Sequence, residues 1–368
     1  MTTVLLVVLI LIVLIVVHEF GHFIAAKLFG VRVDEFGIGY PPRAFLFGKW
    51  RGTEYTLNWI PFGGFVRLFG EDGEASRVAH GRGSFADAPR SRQALILIAG
   101  VTMNALAAYL LFAGAYASGI MHAIPDSEIA VRSDARLIIT SVVDGSPADA
   151  AGLEFGDEII TLRDNRGAEL RDPTPDSLLN FVSARGGEEL TVTYLHANAT
   201  SSAVLRPAHA VVAEESGRPA IGVGTVMVSE EALPIGDALR EAYYQLKSTF
   251  VVVVSGLWTL ISNALGGEPN LREVVGPVGL VGVVGEAAEN GWGYVLFLAG
   301  FISVNLVIIN LIPIPALDGG RLLVVAIEAL ARRTVPKLLM QTFNMIGVAL
   351  IILLMITVTY NDVARLLA

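Results

Sequence analysis

Residues Val4–His22 read VLLVVLILIVLIVVHEFGH, and this stretch decides the class of protein. Every residue from Val4 to Val17 is Val, Leu or Ile. A helix that continues to Phe29, at 1.5 Å per residue, is long enough to cross the roughly 30 Å hydrocarbon core of a bilayer. His18 lies about 21 Å along this helix. The stretch therefore predicts a membrane-spanning helix with ionisable side chains in its second half.

The composition predicts a membrane protein that also carries a soluble domain. Of the 368 residues, 53% are hydrophobic, and the mean hydropathy is +0.60, too apolar for a soluble protein. The net charge is −9, and no run of Lys or Arg indicates nucleic-acid binding. The absence of cysteine excludes disulfides and cysteine zinc sites. The N-terminus lacks the basic region and cleavage site of a signal peptide, so we expect the first helix to be retained.

The chain divides into four predicted parts. Residues 1–117 hold two spans and a polar connection, 118–235 form an outer region, 236–290 form an amphipathic helix and a GPVG linker, and 291–368 hold two more spans. The expected fold is a polytopic α-helical membrane protein with four transmembrane helices, a membrane-associated β-hairpin and one extracytoplasmic PDZ-like α/β domain. The predicted spans are residues 4–29, 94–117, 292–311 and 338–360.

Charge sets the predicted orientation. Ten Lys and Arg residues fall between Lys27 and Arg92, which marks this side as cytoplasmic under the positive-inside rule. Residues 118–240 hold 19 acidic and nine basic residues, as expected of a translocated domain. Residues 250–265 are apolar enough to span, but a crossing there would place Asp318 on the opposite side from His18. We therefore expect Asp237–Leu265 to lie along or dip into the outer interface.

Two segments predict β-structure. Residues 52–69, GTEYTLNWIPFGGFVRLF, are rich in β-forming residues and are interrupted by Pro-Phe-Gly-Gly, which predicts a short β-hairpin or pair of strands. Residues 136–164 follow the order strand, Gly-Ser-Pro turn, short Ala-rich helix, Gly-Asp and strand. That order resembles a PDZ domain, with a core at about 126–225 and room for a single copy.

The motif in the first span predicts metal chemistry. His18 and His22 are four residues apart, so both imidazoles project from one helix face and can reach one Zn²⁺ at about 2.0–2.1 Å. Glu19 lies beside them, placed to take a proton from water rather than to bind the metal. If the H-E-x-x-H motif had no function, an ionisable Glu and two His would lie in an apolar helix without a purpose. A charge near the centre of such a helix raises the free energy of membrane insertion by about 2.5–3.5 kcal/mol, which disfavours this alternative.

Two histidines leave a zinc site short of one protein ligand. Leu28 stands where a metzincin would have its third His. The better candidate is Asp318 in NLIPIPALDGG, because Pro313 and Pro315 break the third span and irregular backbone at membrane depth lines protein or a cavity. An ordinary Asp-Gly turn is the alternative. The remaining histidines are expected at the surface: His80, His122, His196 and His209.

Taken together, the motifs resemble the bacterial RseP-type site-2 proteases, which are intramembrane zinc metalloproteases. The resemblance rests on HEFGH, PFGGF, SPAxxAGLxxGD, GPVG at Gly276–Gly279 and SVNLVIINLIPIPALDGGRL at Ser303–Leu322, and it covers nearly the whole chain. One departure is that RseP has two tandem PDZ domains, whereas this chain has the motif for one.

The resemblance implies roles for particular residues. His18, His22 and Asp318 would bind one Zn²⁺ per chain, and Glu19 would be the general base. Asn305 and Asn310 would contact the substrate backbone or the oxyanion. Gly63, Gly64 and Phe65 would lie on a hairpin edge that pairs with an unwound substrate. For the two asparagines, hydrogen bonding between spans is the alternative. For the hairpin residues, the alternative is a cytoplasmic hairpin without substrate contact.

The implied function is proteolysis of single-span membrane proteins, such as anti-sigma factors or remnant signal peptides. We expect a monomer in the bacterial inner or plasma membrane, with its active site towards the cytoplasm and no nucleic-acid partner. Intramembrane His, Glu and Asp also occur in transporters and ion pathways, but the chain lacks inverted repeats. A non-catalytic PDZ scaffold is a third possibility, although a scaffold would have no need of Glu19.

Overall fold

The computed structural model describes residues 2–71, 82–129, 132–196, 199–209, 217–266 and 275–367. The chain forms two compact units, one of Gly119–Ala232 and one of the residues before and after it. The helical unit contains α1 (Thr2–Leu28), β1 (Val33–Trp50), β2 (Thr53–Leu68), α2 (Arg90–Ala117), α6 (Ile235–Leu265), α7 (Pro277–Asn290), α8 (Trp292–Leu311), α9 (Asp318–Ala331) and α10 (Lys337–Leu367). The other unit contains β3 (His122–Ala123), α3 (Asp126–Ile129), β4 (Arg136–Val142), α4 (Pro147–Ala150), β5 (Glu158–Asp164), β6 (Glu169–Arg171), α5 (Pro175–Ser183), β7 (Leu190–His196), β8 (Ala199–Leu205) and β9 (Val223–Ser229).

Five helices among the described residues are long and apolar enough to cross a membrane, namely α1, α2, α6, α8 and α10. Most of their surface is apolar and exposed, as expected of helices that face lipid. A polytopic α-helical membrane protein is therefore confirmed. Four of these helices coincide with the predicted spans, and α6 is the segment that we expected at the outer interface.

Contacts between α2 and α8 give their relative direction. The rings of Phe112 and Phe297 lie 5.2 Å apart near the end of α2, and Ser303 Oγ donates to the carbonyl of Asn104, nearer its start, at 2.8 Å. The two helices are therefore antiparallel, and α8 begins at the side of the membrane where α2 ends.

Helix α7 is held between α1 and α10. Asp362, on α10, is 3% exposed and accepts hydrogen bonds from the backbone amides of Gly276, Val278 and Gly279 at 2.9–3.1 Å. These amides are the unpaired donors at the start of a helix, so the carboxylate acts as their cap from another element. The GPVG motif is therefore the start of a helix and its attachment to α10.

The β-hairpin is larger than we predicted. Residues Thr53–Leu68 form one bent strand, and their partner is Val33–Trp50, which we did not predict. Arg51 and Gly52, with φ of +46° and +82°, form the two-residue turn, as in a type I′ hairpin. Gly63, with φ of +106°, keeps the Pro-Phe-Gly-Gly segment within β2 as an irregularity instead of a turn.

The first part of β1 lies between two parts of β2. Phe36 is paired with both Tyr55 and Val66. Among the described residues, Gly64–Leu68 is paired along one side only, with Val33–Ile38. This part of β2 is therefore an edge of the sheet.

The unit of Gly119–Ala232 is built on an antiparallel sheet with strand order β3-β9-β4-β5-β7-β8, and β6 pairs with β5. Its core includes Ile139, Leu162, Leu190 and Val192, all fully buried. Thr174 and Ser177 form a capping box at the start of α5.

The predicted surface position is wrong for one histidine. His122 lies in β3 and is buried, with Nδ1 donating to the carbonyl of Ile120 at 3.0 Å. It pairs with Ser229 at the edge of the sheet, and its side chain is buried whereas that of the next residue, Ala123, is exposed. His196 and His209 are at the surface of this unit, and His80 lies outside the described residues.

Candidate metal centre

Glycines allow α1 and α2 to approach closely at the motif. A Cβ atom on Gly21 would collide with the carbonyl of Ala99. A Cβ atom on Gly100 would collide with the imidazoles of His22 and His18. The absence of these side chains lets the α2 backbone pack directly against the histidine face of α1.

Three possible ligands converge on this face. His18 Nε2 lies 2.9 Å from Asp318 Oδ2, His22 Nε2 lies 3.1 Å from the same oxygen, and the two Nε2 atoms are 3.1 Å apart. Both histidines are buried, at 7% and 8% exposure. Asp318 is the first residue of α9, directly after the irregular segment that follows α8. The structure therefore joins residues that are 300 positions apart in the chain.

The donor set fits zinc. Two ligand atoms at about 2.0–2.1 Å from a tetrahedral zinc lie about 3.3 Å apart, close to the separations found here. His22 Nδ1 lies 2.8 Å from the carbonyl of Ile96. A carbonyl can only accept, so Nδ1 carries the proton and Nε2 presents its lone pair to the other two donors.

Glu19 lies between these residues and the sheet edge. A Cβ on Gly64 would lie 3.5 Å from Glu19 Cγ, and Val66 lines the same cavity as Glu19. A cavity of about 460 Å³ opens beside them. Its lining includes Glu19, His22, Phe65, Glu71, Asp318 and Arg321. A carboxylate next to a three-donor centre, with space for a substrate, is the arrangement that metal-assisted hydrolysis requires.

The chain is similar to known proteins over most of its length. The model of peptidase family M50 matches residues 6–354. A protein of Clostridium perfringens, whose name provisionally assigns it to the zinc metalloproteases, is 34% identical over 95% of each chain. The chain belongs to peptidase family M50. The zinc metalloprotease RasP of Geobacillus kaustophilus is 29% identical over 95% of this chain and 94% of its own, and RasP of Oceanobacillus iheyensis is 27% identical over the whole of both.

Membership of family M50 confirms the predicted family and the predicted class of enzyme, a metalloprotease. It is also consistent with a multi-pass protein of the lipid bilayer.

The substrate residues predicted from the M50 resemblance lie in different surroundings. Gly64 and Phe65 line the cavity, and Gly63 packs against the ring of Tyr40. Asn305 donates from its amide to the carbonyl of Phe301 on its own helix at 2.9 Å. Asn310 is half-buried at the end of α8 and is not part of the cavity lining. The roles of the two asparagines remain predictions.

Sequence reasoning missed several residues around the M50 site. Arg321 forms an ion pair with Glu71 at the cavity, and Gly100 and Asn104 lie against the histidines. Arg321 could have been found, because it is three residues after Asp318 and therefore shares its helix face. The other three depend on contacts between distant elements, which no local pattern indicates.

Proposed function

We propose that this peptidase is an intramembrane zinc endopeptidase that cuts single-span membrane proteins within or beside the bilayer. The observation that carries the proposal is that ligand atoms of His18 and His22, on the apolar helix α1, lie within 4.8 Å of one of Asp318, with Glu19 beside them on α1. Charged groups are costly at this depth, so a cluster of them is expected to have a function.

His18 Nε2, His22 Nε2 and a carboxylate oxygen of Asp318 would hold one zinc ion per chain. When bound, zinc acts as a Lewis acid that polarises the scissile carbonyl and lowers the pKa of a water from 15.7 towards about 7. The Glu19 carboxylate takes a proton from the attacking water and delivers it to the leaving nitrogen. The amides of Asn310 and Asn305 would donate hydrogen bonds to the oxyanion or to the substrate backbone.

The sheet edge supports a mode of substrate binding. A transmembrane helix protects its peptide bonds, so it must unwind before cleavage. An unwound segment could pair with Gly64–Leu68, which has one free side among the described residues and adjoins Glu19. Strand addition at this edge would bring the scissile amide to the general base. Gly63, Gly64 and Phe65 would then shape the binding groove.

We propose four crossings of the membrane. Helix α8 begins on the side where α2 ends, so residues 118–291 make no net crossing. The start of α7, which follows α6 in the chain, is attached to the end of α10. Helix α6 would therefore lie along or dip into the outer interface. The basic connection between α1 and α2 would then face the cytoplasm, on the side of the metal centre.

The unit of Gly119–Ala232 would be a single extracytoplasmic PDZ-like domain. Its succession of β4, α4, β5, α5 and β7 supports this assignment. By resemblance, the substrates would be anti-sigma factors already trimmed outside or remnant signal peptides. The protein would act as a monomer in the bacterial inner or plasma membrane.

The test is Glu19→Gln, which retains a side chain of the same size but cannot accept the proton. We expect the variant to keep zinc in the stoichiometry of the wild type and to lose cleavage of a single-span substrate by at least about 10²-fold. His18→Ala should lose both zinc and cleavage. Full cleavage by Glu19→Gln would refute the proposal.

A further inference from the structure

Asn104 is a buried polar residue that the catalytic scheme does not use. It lies in the middle of α2 and is fully buried. Its Nδ2 is 3.3 Å from His18 Nδ1, and its Oδ1 has no hydrogen-bond partner among the described residues. Such an orphaned atom is rare in a protein interior and calls for an explanation.

The geometry restricts which ring nitrogen of His18 carries the proton. A neutral imidazole has one N–H, and a metal ligand must present the lone pair of the coordinating nitrogen. If Nε2 of His18 faces the metal, the proton is on Nδ1, and Nδ1–H requires an acceptor. The group opposite it must then be the amide oxygen of Asn104 instead of the NH₂ group.

A half-turn of the Asn104 amide supplies that acceptor. Oxygen and nitrogen of an amide are nearly isosteric, and their assignment follows from the hydrogen-bond network. The backbone of Asn104 is fixed independently, because its carbonyl accepts from Ser303 Oγ, which is also fully buried. The amide can therefore turn without a movement of α2.

We propose that Asn104 is a positioning residue of the metal centre: its Oδ1 accepts the Nδ1 proton of His18 and so directs the Nε2 lone pair at the metal. The inference rests on the proposed function and extends it to the residues that orient the ligands. Ile96 does the same for His22 through its carbonyl. Helix α2 thus holds both histidines of α1 in the tautomer that binds metal.

The experiment measures zinc affinity instead of proteolysis. The full chain in detergent micelles is titrated against a chromophoric chelator, and bound zinc is quantified by mass spectrometry. Asn104→Leu cannot accept a hydrogen bond, and we expect it to weaken zinc binding by about 10- to 100-fold. Asn104→Asp keeps an acceptor oxygen and should remain within about threefold of the wild type.

Thr102→Ala is the matched control. Thr102 is on the same helix, but its hydroxyl donates to the carbonyl of Ile98 in its own helix. It should bind zinc like the wild type.

Wild-type affinity in Asn104→Leu would overturn the inference. If that variant does not fold, Asn104→Asp decides, since a loss of affinity there contradicts the role of an acceptor. Failure of the wild type to bind zinc, or full binding by His18→Ala, would overturn the metal centre itself. The two failures are therefore distinguishable.

Discussion

At the scale of single residues, the cluster of His18, His22 and Asp318 depends on the absence of a side chain at Gly100 as well as on its own members. The α2 backbone reaches the imidazoles of His18 and His22 because Gly100 has no Cβ. The carbonyl of Ile96, one turn earlier on the same helix, then lies within hydrogen-bonding distance of His22. The absence of a side chain at Gly100 therefore allows both the close packing of α2 and the hydrogen bond that orients His22.

We predict that Gly100→Ala weakens zinc binding by at least about tenfold, because the methyl group displaces the His22 imidazole from the other donors. Zinc affinity measured by chelator competition tests this. Gly114→Ala is the control on the same helix, where the nearest atom to the new Cβ is Leu296 Cδ1 at 3.5 Å. Equal affinities of the two variants would contradict the prediction.

At the scale of secondary-structure elements, the hairpin shows that local composition predicted the wrong position for the turn. The Pro-Phe-Gly-Gly segment has the composition of a turn, yet it lies inside β2. The turn is at Arg51-Gly52, whose positive φ angles match the twist of the flanking strands. Strand β1 was not predicted because its Gly and Pro residues have low strand propensity. In the structure, pairing with β2 on both sides of Phe36 stabilises the strand despite these residues.

In the unit of Gly119–Ala232, β7 is tied to the turn before β5. His196 Nδ1 donates to Asp157 Oδ1 at 2.7 Å, and Asp157 is 1% exposed. This carboxylate raises the pKa of His196 above its ordinary value. The other Asp157 oxygen accepts from the amide of Glu154 at 2.9 Å. The His196–Asp157 pair therefore connects the end of β7 to the turn before β5, where the Asp157 side chain is buried.

We predict that His196→Gln destabilises this unit in a pH-dependent way. Because the pKa of His196 is raised on folding, the contribution of the pair is complete below about pH 6.5, the value for an unfolded chain, and is lost as the pH rises through the folded-state pKa. The loss of stability should therefore be larger at pH 5 than at pH 9. Thermal unfolding at both pH values measures it, and His209→Gln, at an exposed site, is the control. A loss that grows with pH would contradict the prediction.

At the scale of the whole molecule, the direction of the helices governs whether the site can form. Asp318 meets His18 because α8 runs in the same direction as α1. An odd number of crossings between α2 and α8 would reverse α8 and carry Asp318 to the other side. The position of the Asp318 carboxylate therefore predicts the number of membrane crossings better than the apolar character of α6 does.

The natural sequence contains no cysteine, so single cysteines can report on topology without a background. We predict that Gly266→Cys, at the end of α6, reacts with a membrane-impermeant thiol reagent from the outer side. Ser118→Cys and Ser91→Cys, just after and at the start of α2, are the references for the outer and inner sides. Labelling of Gly266→Cys from the inner side alone would show that α6 crosses.

The sequence by itself determined the membrane class, the helices that match the four predicted spans, and the face of α1 that carries His18 and His22. Those features depend on hydropathy and on the helical repeat, which act over a few turns. Only the tertiary structure shows that Asp318 lies against His18, that Gly64–Leu68 borders Glu19, and that Asn104 faces His18. Each of these depends on contacts between elements far apart in the chain, whose distances are set by packing and not by local periodicity.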